Sequence, residues 1–275
     1  MRLRHRHFSY ICPTKYLRTM KHAFRLGAVV LLWTAAACGP KSPAPEFTLL
    51  AMDTTLVCGP VGYDVQYRFT SIANASHSPA LQAIEEANIQ YFFGLEDFTG
   101  TASEAIAAAL DRVRRQIRDD LRSDESGTVS TDAPVREYSE SSESEATVID
   151  TLLVYTIRSS GYSGGAHGMY ATMAHNYSLA GGYELTLDDL FTPAQLTVLD
   201  SLIHNRLYDR CGVSSDEGLA EQGFFPEYIG PTGNFAVTEN GITFYYNPYD
   251  IGCYALGDVS VDIDRDALNR LGIGR

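Results

Sequence analysis

The stretch that most constrains this chain runs from Thr147 to Phe191. It begins with TVIDTLLVYTI (Thr147 to Ile157), in which β-branched, aromatic and apolar side chains follow one another with a single charge at Asp150. A run that is apolar on both faces predicts a central strand covered on two sides. It leads into Ser163-Gly164-Gly165-Ala166-His167-Gly168. Such a cluster predicts a sharp turn, because glycine reaches positive φ without a Cβ clash. Met169 to Leu179 alternates its side chains like a second strand, Gly181-Gly182 marks a tight turn, and the next residues open a helix.

The rest of the chain fits around that sheet. Phe47 to Val57 and Gly62 to Ile72 read as strands, the second alternating Tyr63, Val65, Tyr67 and Phe69 with smaller or polar neighbours. Ser78-Pro79 opens a helix carrying Leu81, Ile84, Asn88, Tyr91 and Phe92 mostly on one face. Thr101 to Glu104 forms a capping-box pattern, and Ile106, Leu110, Val113, Ile117 and Leu121 follow as one apolar stripe. Val135 to Glu145 alternates charge with hydroxyls and reads as an exposed edge strand or hairpin arm. Thr192-Pro193 starts another helix, through Leu207. Short strands at Phe235–Val237, Ile242–Tyr246 and Val259–Ile263 follow, with Glu239-Asn240-Gly241 as a hairpin turn. This order predicts an α+β fold of two packed modules, each a mainly antiparallel sheet with helices on one face. The expected divisions are a tether over 38–46, an N-terminal module over 47–132 and a C-terminal module over 133–275.

The beginning of the chain reads differently. Met20 to Arg25 is basic, Leu26 to Ala37 is apolar, and Thr34-Ala35-Ala36-Ala37 leads directly to Cys38. Small residues before a cysteine, after a basic and then an apolar segment, resemble a bacterial lipoprotein signal over 1–37, with Met20 as the initiator and Cys38 as the lipidated residue. The apolar run is shorter than the roughly 20 residues that span a bilayer. Gly39 stands where many lipoproteins kept at the inner membrane carry aspartate. The expected location is therefore the outer membrane, facing periplasm or surface.

Processing at Cys38 would remove seven of the 21 Lys and Arg residues and none of the 34 Asp and Glu, moving the net charge from −13 to about −20. Such a charge repels phosphate backbones and excludes nucleic acid as a partner. Of Cys58, Cys211 and Cys253 at most one pair can join, and no C-x-x-C spacing suggests zinc or redox chemistry.

Two chemistries bear on the glycine turn. Gly161-Tyr162-Ser163-Gly164-Gly165 satisfies G-x-S-x-G, but a nucleophile elbow needs a helix after the serine, and here a strand follows. His167 and His175 would lie more than about 25 Å apart along a regular strand, too far to share a metal. Neither a metal nor a cofactor is expected. His167 reads best as a ring satisfying a backbone carbonyl in the turn. The second dense patch, Phe244 to Tyr254, holds Asn247-Pro248 and four tyrosines, residues that supply apolar area and a hydroxyl at low entropic cost.

Together these residues carry a resemblance. Ser163-Gly164-Gly165-Ala166-His167-Gly168, Leu185 to Phe191, Asn234-Phe235 and Asn247-Pro248-Tyr249-Asp250-Ile251 through Tyr254 and Gly257 resemble the extracytoplasmic domain of RsiV-type anti-sigma factors. The resemblance covers Thr147 to Leu271. That domain also occurs beside peptidoglycan polysaccharide deacetylases and alone in bacterial lipoproteins. The family implies no catalysis of its own, and in the RsiV branch it implies lysozyme binding. This chain lacks the cytoplasmic anti-sigma segment and a deacetylase module. What the resemblance implies is a cell-envelope binding protein whose partner is lysozyme or peptidoglycan. The ligand contacts would be Ser163, Gly164, Gly165, His167, Asn247, Pro248, Tyr249 and Tyr254. The alternative is a cell-wall hydrolase or deacetylase using Ser163 or His167.

Overall fold

The computed structural model describes residues 43–58, 61–124 and 136–272. The leader, Cys38 and the start of the tether lie outside them. Strands β1 (Phe47–Cys58) and β2 (Val61–Ile72) form an antiparallel pair in one-to-one register from Phe47–Ile72 to Cys58–Val61. Helices α1 (Pro79–Phe93) and α2 (Ala102–Asp124) follow. Proline at the first turn starts α1, and Gly94, at φ 59°, ends it in the left-handed region. The predicted capping box forms at α2: the Thr101 N–H donates to Glu104 at 2.8 Å, and the Glu104 N–H donates to the Thr101 hydroxyl at 3.3 Å.

Strands β3 (Arg136–Ile149), β4 (Leu152–Tyr162) and β5 (Met169–Ser178) complete a five-stranded sheet in the order β1-β2-β3-β4-β5. Only the β2–β3 pair is parallel. Alternate β2 residues Val61, Tyr63, Val65, Tyr67 and Phe69 pack against Leu81, Ile84, Phe92 and Phe93 of α1 and Ala105, Ala109, Val113 and Ile117 of α2. The α2 stripe is rotated by about one residue from the sequence reading: Ala105 and Ala109 are fully buried, whereas Ile106 and Leu110 are only partly so. Small alanines let the helix lie close to a sheet face crowded with tyrosine and phenylalanine.

The second module follows. Short helix α3 (Leu187–Leu190) and helices α4 (Pro193–Cys211) and α5 (Asp216–Glu221) precede strands β6 (Phe235–Thr238), β7 (Gly241–Tyr246) and β8 (Val259–Asp264), and α6 (Arg265–Arg270) closes it. The three strands form an antiparallel sheet in the order β6-β7-β8. Phe235, Ile242, Phe244, Val261 and Ile263 pack on Leu199, Ile203 and Leu207 of α4 and on Ala267 and Leu268 of α6. The fold is thus α+β with two packed modules, as the sequence predicts.

Three expectations need correction. The five-stranded sheet takes β1 and β2 from one side of the expected 132/133 boundary and β3 to β5 from the other, so the two sheets divide after β5. Thr147 to Ile157 is not one strand: Asp150, at φ 52°, and Thr151 turn the chain from β3 into β4. Aspartate tolerates the left-handed region better than most residues, which is how a tight turn fits inside an apolar run. Of the expected arm from Val135 to Glu145, Val135 lies outside the described residues; the rest is a hairpin arm but not an edge, lying in β3, third of five, where Glu140 and Ser144 have partners on β2. Glu140 accepts from Tyr67 at 2.5 Å, and Ser144 accepts from the Thr70 N–H at 2.9 Å.

The modules meet through asparagines. On the β5 edge away from β4, backbone groups of residues 183–185 meet Asn176 and Ser178, and side chains rather than a strand meet the groups of Thr172 and Ala174. The Thr172 N–H donates to Asn247 Oδ1 at 2.7 Å and the Ala174 N–H to Asn234 Oδ1 at 2.9 Å, while Asn234 Nδ2 donates to the Thr172 carbonyl at 2.8 Å. Asn176 reciprocates: its Nδ2 donates to the Phe235 carbonyl at 2.7 Å and its Oδ1 accepts from the Val237 N–H at 2.8 Å. Val154, Ala174 and Ala236 form a small apolar contact beside this clasp.

A second polar group ties β5 to α1. The Glu184 carboxylate meets His175 Nδ1 at 2.7 Å and accepts from the Tyr91 hydroxyl at 2.8 Å, and the Tyr91 and His175 rings stack with centroids 3.9 Å apart. Burial alone would raise the Glu184 carboxyl, but the His175 bond and charge and the Tyr91 bond outweigh it and hold the carboxyl below its ordinary value. The Tyr91 hydroxyl moves the other way, pushed up to about 12 by burial and by the Glu184 charge.

Two outcomes follow from these contacts. Asn176→Ala leaves the Phe235 carbonyl and the Val237 N–H without partners, so denaturant titration should show a loss of about 2–4 kcal/mol. For Glu184 the unfolded chain binds the proton more tightly than the folded one. The stability it supplies is therefore present above the ordinary value of 4.5 and is lost as pH falls through the lower folded value. Thermal melts of Glu184→Gln should show lower stability at neutral pH and a shallower decline below pH 4.5 than the parent.

Candidate functional site

The glycine turn and the tyrosine patch, 80 residues apart in sequence, come together at one end of the β4–β5 hairpin. Residues 163–168 connect β4 to β5, and 163–167 are exposed. Gly164 and Gly165 have φ of 91° and 99°, so a side chain at either would strain the turn. The His167 and Tyr254 rings stack, with centroids 3.8 Å apart and planes 21° apart. His167 Nδ1 lies 2.9 Å from the Gly168 carbonyl, and the Tyr254 hydroxyl donates to that same carbonyl at 2.8 Å. The turn is thereby held against Tyr254 of the second module.

Tyr249 stands at the rim. Its hydroxyl is 3.5 Å from His167 Nε2, its ring centroid is 5.7 Å from that of Tyr254, and it is 52% exposed. Its φ of 75° is unusual for a residue with a bulky side chain and requires firm support. That support comes from Asn247, whose N–H donates to the Asp250 carboxylate at 2.7 Å and whose side chain is bound to β5. Burial raises the Asp250 carboxyl, partly offset by the Asn247 N–H bond. Two of the expected ligand contacts therefore act from beneath: Pro248 is buried and Asn247 Oδ1 is committed to the Thr172 N–H. Ser163, Gly164, Gly165, His167 and Tyr249 are exposed, and Tyr254 is half-buried.

The structure adds neighbours that the sequence reading missed. The Tyr162 hydroxyl donates to the Gly165 carbonyl at 3.0 Å, and the Tyr138 ring on β3 borders Gly164. Tyr162 sits inside the glycine motif and was available to a closer reading. Tyr138 was not, because it reaches the turn only through the β3–β4 register, in which Ser139 pairs with Tyr162.

The chemistry open to this arrangement is recognition by rings and backbone. Ser163 is followed by β5, so no helix N-terminus stands behind it. One ring nitrogen of His167 is occupied by a carbonyl and the other faces a tyrosine hydroxyl. Among the described residues no three His, Cys, Asp or Glu side chains converge to hold a metal, and Cys58, Cys211 and Cys253 are free thiols. No helix among them is long and apolar enough to cross a membrane.

Comparison with known proteins gives the chain its relatives. Residues 188–266, from α3 into α6, match the family described as "Protein of unknown function (DUF3298)". A solved DUF3298 family member from Bacteroides fragilis is 27% identical, with a TM-score of 0.72 over 83% of this chain and 93% of that one. A DUF3298 family protein from Pseudomonas aeruginosa, 18% identical, shares the fold with a TM-score of 0.57 over 83% of this chain and 94% of its own. The peptidoglycan-N-acetylmuramic acid deacetylase PdaC of Bacillus subtilis is 28% identical over 109 residues, 39% of this chain. That match spans only 23% of the deacetylase's length. The chain is thus similar to DUF3298 proteins at residues 188–266, and its two-module fold resembles that of the two solved DUF3298 structures over most of their length.

Proposed function

We propose that this protein is a cell-envelope binding protein of the RsiV-like kind, anchored by a lipid on Cys38 at the outer membrane, and that it recognises peptidoglycan through the glycine turn and tyrosine rim. The observation that carries this reading is the stacked His167–Tyr254 pair beside an exposed, rigidly supported Tyr249. Flat rings with hydroxyl rims suit the apolar faces and hydroxyl edges of sugar rings. A glycine backbone with no side chains in the way lets a chain of sugars approach closely. The similarity to a protein named as a peptidoglycan deacetylase points to the same polymer.

Lysozyme is the second reading. The strongly acidic chain favours a basic protein partner, for which complementary charge speeds encounter and selects the partner. The hydrolase or deacetylase alternative lacks comparable support, because Ser163 lies between two strands and has no helix behind it.

The test is co-sedimentation of the full chain with isolated sacculi, with capture on immobilised lysozyme in parallel. The chain should sediment with sacculi, and Tyr249→Ala and His167→Ala should each weaken binding by about tenfold, the effect of truncating a central aromatic contact. Retention by lysozyme alone would replace peptidoglycan with the second reading. Retention by neither would end the binding proposal, and release of sugar fragments or acetate by the purified chain would restore the enzymatic one.

A further inference from the structure

The five-stranded sheet has two edges, and the fold treats them differently. The β5 edge is sealed by the asparagine clasp. On the other side β1 pairs only with β2, and among the described residues no strand lies along its far edge.

The register identifies the open groups. The Thr70 N–H and carbonyl both point toward β3, where they meet Ser144 and the Tyr155 hydroxyl. The N–H and C=O of one strand residue point to the same side, so odd-numbered β2 residues face β1. Their partners are Thr48, Leu50, Met52, Thr54, Leu56 and Cys58. The backbone groups of Phe47, Leu49, Ala51, Asp53, Thr55 and Val57 therefore point outward along the free edge.

This edge has none of the usual protections. It runs twelve residues in one-to-one register without a bulge and contains neither proline nor lysine. Phe47, Leu49 and Val57 are 39%, 60% and 71% exposed. Its single charged residue, Asp53, is neutralised by the two Arg68 guanidinium bonds at 3.0 and 2.8 Å. The one carboxylate bonded to the strand from β2, Asp64, accepts from the Thr55 hydroxyl at 2.6 Å, so in a chain of net charge −13 the β1 edge carries little net charge and a second copy of the same acidic protein meets little repulsion there.

We propose that two copies of this chain pair antiparallel through β1, about a two-fold axis, to give a continuous ten-stranded sheet. The pairing that uses most of the strand, from Phe47 to Val57, places Phe47 opposite Val57 of the second copy, Leu49 opposite Thr55 and Ala51 opposite Asp53, with the axis between the two Met52 residues. It brings the two most outlying apolar side chains of the edge together and keeps the two Asp53 carboxylates from standing directly opposite each other. The paired strands extend for about 40 Å, at about 3.4 Å per residue. The proposal concerns the edge of the first module and is independent of what the glycine turn binds.

The full chain, in detergent solution, is followed by sedimentation velocity over a concentration series. A reversible dimer is expected. Ala51→Pro removes an outward N–H without touching the β2 ladder, and Leu49→Lys places a charge on each side of the joint. Each should raise the dissociation constant about tenfold or more with the circular dichroism spectrum unchanged. Val148→Lys, a change at an exposed apolar residue elsewhere on the sheet, should leave the dimer intact. In Met52→Cys the facing residues form a non-hydrogen-bonded pair, with Cα atoms about 4.5 Å apart, so oxidation should link the two copies at that position. A chain that is monomeric throughout, or a dimer that survives both edge substitutions, would overturn the proposal.

Discussion

The structure depends on a hydrogen-bonding debt at the β5 edge. A sheet edge buried under another module must satisfy its N–H and C=O groups, because each one left bare costs about 1–3 kcal/mol. Here side-chain amides satisfy them. An asparagine offers both a donor and an acceptor, so Asn234 bonds two backbone groups of β5 and Asn176 bonds two of β6. The apolar surface shared at this junction is small, with Val154, Ala174 and Ala236 at its centre. Small side chains tolerate sliding, and paired amides do not. The asparagines therefore set the register of one module on the other.

The candidate site inherits its rigidity from that clasp. Asn247 is both the last bond of the clasp and the start of the turn that lifts Tyr249 into a left-handed backbone conformation. Five residues beyond Tyr249, Tyr254 stacks on His167 and closes the glycine turn from the other module. The platform is thus made by two modules and exists only while they are in register. That arrangement suits recognition, in which a preformed surface avoids the entropy of ordering side chains on binding.

Much of this was legible in the chain. Alternation in β2, the capping box at Thr101 and the proline-led starts of α1 and α4 follow from local rules, and the elements stand where those rules put them. The failures share one cause. The apolar run from Thr147 to Ile157 concealed a turn because residue type does not report burial: Leu153, Tyr155 and Ile157 of β4 are buried, whereas Thr147 and Val148 of β3 are exposed. The serine- and glutamate-rich β3 reads as an edge until its neighbours are known. Its polar side chains bond to Tyr67, Thr70 and Tyr155 across the sheet, and no spacing within β3 signals that. The Tyr91–His175–Glu184 group was missed for the same reason, since its members come from α1, β5 and the loop after β5.

By itself, the sequence determined most of the elements, the α+β class and the sharp turn at Gly164-Gly165. These are consequences of local conformational cost and of hydrophobic period, which act over a few residues. Only the tertiary structure decided where the sheets divide, which strand edge is sealed and which stays open among the described residues, and which residues of the tyrosine patch face outward. Those outcomes turn on which backbone groups find partners across distances of 60 or more residues, as Asn234 and Asn176 do. No local pattern encodes that satisfaction, because the same asparagine that binds an edge in one fold would cap a turn in another.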